Sequence, residues 1–379
     1  MVSSRKERVI DSALGFAVYS DFSESLFNAD GFLRGRLPKK FYANQLHRLE
    51  CFVDDLLSTD EIPFLPRLSR FGDTEYDISK LCDNYFFLLP NFIEVVKMLA
   101  PWYVYSERIT VFISCCKSQG LLQQTLVLGT RDIWFVAATR LPQFGGVTAG
   151  ELFNTLVNNI RAEWKAQELG TKLRKRRAEM HKRFTDYCAY VDSLFDACAK
   201  QLVLRVDLYY RRELFDRVTV HDAVTDFNHL VANMRGCQSI FGAMNGYIAK
   251  LDYGIEKGVH IHTIFFFDSS KRNNANHNYL AMQVGEYWVR VITKCNGAYW
   301  NVSAMASDDE NLRIRGIGVI HANARQVRAN LTNVVVRYLC KMDQFLRPKF
   351  HRQVHLIRRG NLPKVPIIKR GRPRKASER

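Results

Sequence analysis

The chain has 379 residues, 47% of them apolar, with 55 Lys and Arg against 38 Asp and Glu and a net charge of +17. That length and apolar content suit two domains with real cores and exclude a chain disordered throughout. No apolar run reaches the roughly 18–20 residues needed to cross a bilayer. The opening MVSSRKERVIDSALGF is too polar for a secretory signal, and the nine cysteines, with no C-x-x-C pair, read as reduced core residues of a cytosolic protein.

The charge is uneven. Residues 347–379 hold twelve Lys and Arg and one Glu, so this tail carries +11 and the rest of the chain +6. A globular body with a basic tail suits a polyanion partner, nucleic acid above all.

The first domain, residues 1–170, reads as mainly helical. Phe41, Leu46, Leu49, Phe52, Val53 and Leu56 give Lys40–Leu57 a helical apolar face. Asp77–Leu99 and Gly150–Leu169 read likewise, while Ile109–Ser114 and Thr125–Thr130 suit short strands. A linking helix over 171–200 opens with Lys172, Arg174, Lys175, Arg176 and Arg177. This run reads either as a solvated face or as a phosphate-contacting surface. A third segment, 201–345, alternates strand and helix patterns. Leu202–Tyr210, Met244–Tyr253, Val259–Asp268, Ala298–Val302 and Arg315–Ile320 read as strands. Val220–Met234, Asn278–Lys294 and Ala324–Phe345 read as helices. The order implies an α+β fold: an antiparallel sheet with packed helices, preceded by the helical domain and followed by a basic, disordered tail over 346–379.

The sharpest chemical feature is His260-Ile261-His262. Strand side chains alternate, so the two imidazoles share a face. A turn centred on Glu256 sets Asp252 opposite His260 and Lys250 opposite His262. Opposed residues share a face, so a carboxylate joins the imidazoles. Two His and one carboxylate with open positions suit Mg²⁺ or Mn²⁺ held together with a phosphate oxygen. In the last helix Val327, Leu331, Val334, Val335, Tyr338 and Met342 form an apolar stripe, and Val334, Tyr338 and Lys341 share a side. A tyrosine beside a cation and a metal can act as a nucleophile, because both favour the phenolate.

H-x-H in a strand, an acidic residue on the partner strand and a later Y-x-x-K in a helix resemble the HUH endonucleases: rolling-circle initiators, relaxases and single-strand transposases. More closely, LVLRVDLYY at Leu202–Tyr210, KLDYGIEKGVHIHTIFFFD at Lys250–Asp268, Gly285–Trp288, Gly316–Gly318 and Tyr338–Lys341 resemble the inovirus replication-protein family with a YagK/YfjJ C-terminal domain. The resemblance covers roughly residues 185–345. It implies metal ligation by His260, His262 and Asp252, where the family usually has glutamate. It implies Tyr338 as the nucleophile that nicks single-stranded origin DNA and stays joined to the 5′ end, with Lys341 orienting it. It further implies rolling-circle replication of a phage, prophage or mobile element in the bacterial cytosol, with host helicase and polymerase as partners. Three matters stay open. The chain could instead be a non-catalytic DNA-binding protein or a transposase or relaxase of the same chemistry. Tyr209 and Tyr210 are further nucleophile candidates if their strand borders the site. Arg205, Asp207 and Glu286 are candidate DNA contacts, Glu286 also a spare ligand.

Two rival motifs fail on residues. A cupin needs Glu where Phe266 and Phe267 stand, and a metallo-β-lactamase needs Asp where Ile264 stands. In the tail, Lys369–Lys375 resembles an AT-hook. Arg370, Arg372, Arg374 and Lys375 would enter the A·T minor groove or attract phosphates generally.

Overall fold

A computed structural model describes residues 39–70, 74–99, 103–129, 132–215, 217–254, 258–271, 277–305, 316–349 and 355–363. The chain divides into two compact units. One is Met1–Ala178 with Gln344–Arg347; the other is Glu179–Asp343 with Pro348–Arg379.

The first unit packs the helices Lys39–Leu56, Leu89–Lys97, Glu107–Ser118 and Ala149–Ala166 around Phe52, whose ring meets those of Phe92, Phe112 and Phe153. Two strand expectations here are corrected. Ile109–Ser114 lies inside the helix Glu107–Ser118: Ser106 caps it by accepting from the Ile109 amide at 3.2 Å, and Ile109, Phe112 and Cys116 bury one helical face. Tertiary packing outweighs the β-branched propensity of that run. Residues 125–129 are irregular. The strands are instead Phe64–Leu68 and Thr74–Ile78, an antiparallel hairpin, so helix begins only at Lys80. All nine cysteines are free.

The second unit is α+β. Helix α1 (Leu169–Ala197) leads into β1 (Lys200–Tyr210), α2 (Val220–Asn233), β2 (Met244–Gly254), β3 (Gly258–Asp268) and α3 (His277–Tyr287). Then come β4 (Gly297–Asn301), β5 (Gly318–His321), α4 (Arg325–Asn330), a π-helical stretch Leu331–Val336, α5 (Arg337–Lys341) and β6 (Ile357–Arg359). The sheet order is β5-β1-β3-β2-β6, with β4 also paired to β1, all antiparallel. Helices cover both faces. On one, Leu204, Val206, Ile261 and Phe265 meet Phe227 of α2, Leu280 and Val284 of α3, and Trp288. On the other, Val203, Ile248, Ile264 and Phe266 meet Tyr190 and Leu194 of α1 and Val335, Val336 and Leu339. Strand β3 is therefore buried along its whole length, as a central strand covered on both faces must be.

Two further expectations change. Residues 355–363 of the basic tail are ordered. Ile357, Arg358 and Arg359 pair with Lys250, Ala249 and Ile248 as an edge strand, and Arg359 stacks 4.8 Å above the Tyr190 ring. Val334 is not part of the buried stripe but 54% exposed, and Val336 is buried in its place. The i→i+5 bonding of the π stretch shifts the helical phase. The Lys369–Lys375 motif lies outside the described residues.

Packing of α3 on the sheet depends on Gly285, because a Cβ there would run into the Tyr299 ring of β4. Gly285→Ala is expected to cost about 1–3 kcal/mol by overpacking. Urea unfolding should register that loss, and exposed Val291→Ala should leave the midpoint within error.

Candidate metal centre

The β2–β3 ladder runs in the expected register: Asp252 opposes His260 and Lys250 opposes His262. Gly258 starts β3 at φ 57°, a conformation suited to glycine, beside Phe215. On the other side β1 sets Asp207 opposite His262. All these side chains lie on the face covered by α1 and by the helix carrying Tyr338.

Asp252, His260 and His262 are each buried, and one ligand atom from each falls within 4.8 Å of the others. Ligands on a single ion stand about 3–4 Å apart, given metal–ligand distances near 2.0–2.2 Å. The triad is thus nearly closed to ligation distance and could bind a metal ion. The ring orientations agree. His260 Nδ1 lies 3.1 Å from the Gly258 carbonyl. A carbonyl only accepts, so Nδ1 donates, and in the neutral ring Nε2 keeps a lone pair. His262 Nδ1 lies 3.0 Å from Asp207 Oδ1, a chiefly Coulombic contact off the hydrogen-bond line, and its Nε2 faces Asp252 Oδ2 at 4.0 Å. A small rotation of either side chain would turn this contact into the carboxylate–imidazole hydrogen bond that sets a ligating histidine's tautomer and raises its basicity. Sequence reading offered Asp207 as a DNA contact; the structure sets it behind His262. The parity of β1 against β3 makes that position, and the two segments lie more than fifty residues apart with no motif to align them.

Burial pushes the Asp252 carboxyl above its ordinary range, with His262 and Lys250 offsetting part of this. Burial also pushes Asp207 up, yet His262 and Arg205 beside it more than compensate and hold it well below the carboxylate range. A buried carboxylate beside two imidazoles, each a lone-pair donor in its neutral form, is a donor set suited to a divalent cation.

The Tyr338 ring stands 6.4 Å from that of His262 at 87°. The π stretch immediately precedes it, and such irregularities recur at functional sites. Tyr210 is excluded from this face: it packs in the opposite core and donates to Asp226 Oδ2 at 2.7 Å. Tyr209 shares the triad face but donates to the Tyr299 carbonyl at 3.2 Å, and burial raises its phenol. Lys341 reaches the Phe184 ring of α1, 5.7 Å from its centre. Glu286 pairs with Arg290 at 2.8 Å and meets Tyr299 on the other face, away from the triad.

Lys250 is fully buried and forms an ion pair with Asp343 Oδ1; Asp343 Oδ2 accepts from Arg183 at 3.0 Å. This pairing ties the strand holding Asp252 to the residue just beyond α5 and to α1. Sequence reading missed its role, because an Asp five residues beyond Tyr338 carries no motif. Of the basic run, Lys172, Arg174 and Lys175 are exposed, whereas Arg176 is engaged within the protein at 3.1 Å from buried Glu107.

No protein-family model, no curated protein and no solved structure matches the chain.

Calorimetry should find one Mn²⁺ site in the wild type and none in His260→Ala with His262→Ala. Binding requires neutral imidazoles and an ionised Asp252 whose pKa is raised, so protons compete. Affinity should fall as pH is lowered, and Asp207→Asn should lower it roughly 10–100-fold. Lys250→Met leaves Asp343 half-paired and should destabilise toward the low end of about 3–5 kcal/mol. Adding Asp343→Leu should restore much of that, read in urea unfolding.

Proposed function

We propose that the chain is a metal-dependent DNA nicking and joining enzyme that uses Tyr338 as its nucleophile. The observation that carries this is the approach of a tyrosine from a separate helix to within 6.4 Å, ring to ring, of an imidazole of the Asp252/His260/His262 triad. A metal-capable site and a hydroxyl nucleophile on one buried face are the two parts phosphodiester transfer requires.

Tyr338 Oη attacks the phosphorus of a single-stranded backbone and its phenolic proton is lost. The P–O3′ bond breaks, and the leaving O3′ takes up a proton. The products are a 5′-phosphotyrosine and a free 3′ hydroxyl, and the reverse attack rejoins the strand. A bound Mg²⁺ or Mn²⁺ would polarise the phosphate and favour the charge that develops on it. His260, His262 and Asp252 would hold that ion, Asp207 stands behind His262, and the Lys250–Asp343 pair fixes the strand against the tyrosine helix. A free 3′ end primes a polymerase, so the reading extends to rolling-circle initiation on a mobile genetic element in a bacterial cytosol. Host helicase and polymerase follow the nick. The net charge of +17 suits a polyanionic substrate. Among the described residues no helix is long and apolar enough to cross a membrane.

A covalent-capture gel tests this. Labelled single strands covering the element's own DNA are mixed with protein and Mn²⁺ or chelator. A denaturant-resistant protein–DNA band should form with Mn²⁺ alone and vanish in Tyr338→Phe and in His260→Ala with His262→Ala. A band surviving Tyr338→Phe moves the nucleophile elsewhere. Tight binding with no band on any fragment favours a non-catalytic DNA-binding protein. A preference for hairpin ends favours a transposase.

A further inference from the structure

The ladder pairings align five residues in one row across the triad face: Trp300 of β4, Asp207 of β1, His262 of β3, Lys250 of β2 and Ile357 of β6, each directly opposite the next. Directly opposed residues of an antiparallel pair share a face, so Trp300 lies on the face of the triad, two strands from His262. Strand spacing of about 4.8 Å puts its backbone roughly 10 Å from that of the histidine. Its neighbour Tyr299 packs into the opposite core, as strand alternation requires.

Trp300 is 51% exposed. An indole of that exposure, on an edge strand paired to β1, contributes little to the core. Around it on the same face stand Tyr209, half-buried and opposite Ala298, and Arg205, whose guanidinium lies 3.6 Å from Asp207 and is 24% exposed. An exposed indole, a phenol ring and a guanidinium beside a phosphate-competent centre are the parts of a platform for unpaired bases. Rings stack on base faces and the cation meets the backbone. A paired base has no face to offer, so such a platform selects single strands.

We propose that Trp300, with Tyr209 and Arg205 beside it, is a stacking site for an unpaired base of single-stranded DNA, roughly 10 Å across the sheet from the triad. The proposal rests on the nicking reading for its choice of substrate. Trp300 binds and orients the strand and takes no part in bond breaking.

Anisotropy of a short labelled unpaired oligonucleotide, in chelator so that no cleavage occurs, tests it with the full chain. Trp300→Ala should weaken binding roughly ten- to hundredfold, Trp300→Phe should keep most of the affinity, and Mn²⁺ titration of both variants should match the wild type. The same oligonucleotide as a duplex should bind all three alike. Unchanged single-strand affinity in Trp300→Ala overturns the proposal, as does a wild type that prefers duplex, or a Phe variant as weak as the Ala variant. The two readings separate cleanly. Trp300-dependent binding without any covalent band on the element's DNA overturns nicking and leaves the platform standing. Tyr338-dependent nicking with undiminished binding by Trp300→Ala does the reverse.

Discussion

The register between β2 and β3 is the constraint on which the centre depends. Side chains on a strand alternate, so a slip of one residue would turn both histidines into the opposite core and leave Asp252 facing Ile261. Hydrophobic parity holds the register. Ile261, Phe265 and Phe267 fill one core and Ile264 and Phe266 the other. The same alternation that buries the phenylalanines thus presents His260 and His262 together. The centre is a continuation of one apolar face of the sheet, at the end where that face turns polar.

Putting polar groups there is costly unless each is partnered. His260 is held by the Gly258 carbonyl and Lys250 by Asp343, while His262 Nδ1 and Asp207 Oδ1 face each other at 3.0 Å by charge alone, with Arg205 3.6 Å from the same oxygen. The Asp252 carboxyl accepts from the Tyr253 amide at 2.8 Å, yet burial still raises its pKa. A cation bound there would supply positive charge, since one ligand atom from each of the three residues lies within 4.8 Å of the others. The Lys250–Asp343–Arg183 chain does a different job. It joins the metal strand, the end of the tyrosine helix and α1 through directional contacts, so Tyr338 is registered against His262 by more than apolar packing.

The second unit was largely legible because its strands carry β-branched and aromatic runs and its hairpin register follows from one glycine-flanked turn. The triad was legible for the same reason: it is built from neighbours in sequence. Asp207 and Trp300 reach the same row only through pairing of distant strands, and their place could not be read from spacing. The π stretch was hidden too. A regular helix buries Val334, and only the i→i+5 turn exposes it and brings Val336 inward. In the first unit, Ile109–Ser114 misled because its β-branched residues sit in a helix stabilised by a serine cap and an aromatic core. The edge strand Ile357–Arg359 misled because its charge suggested solvent, while its backbone completes the sheet beside β2.

The most direct measurement is anomalous scattering at the manganese edge from crystals of the wild-type protein grown with Mn²⁺. One peak is expected, bonded to His260 Nε2, His262 Nε2 and a carboxylate oxygen of Asp252, with open positions toward Tyr338. A peak held by other residues, or full occupancy by an ordered water network with no peak at millimolar Mn²⁺, would contradict it.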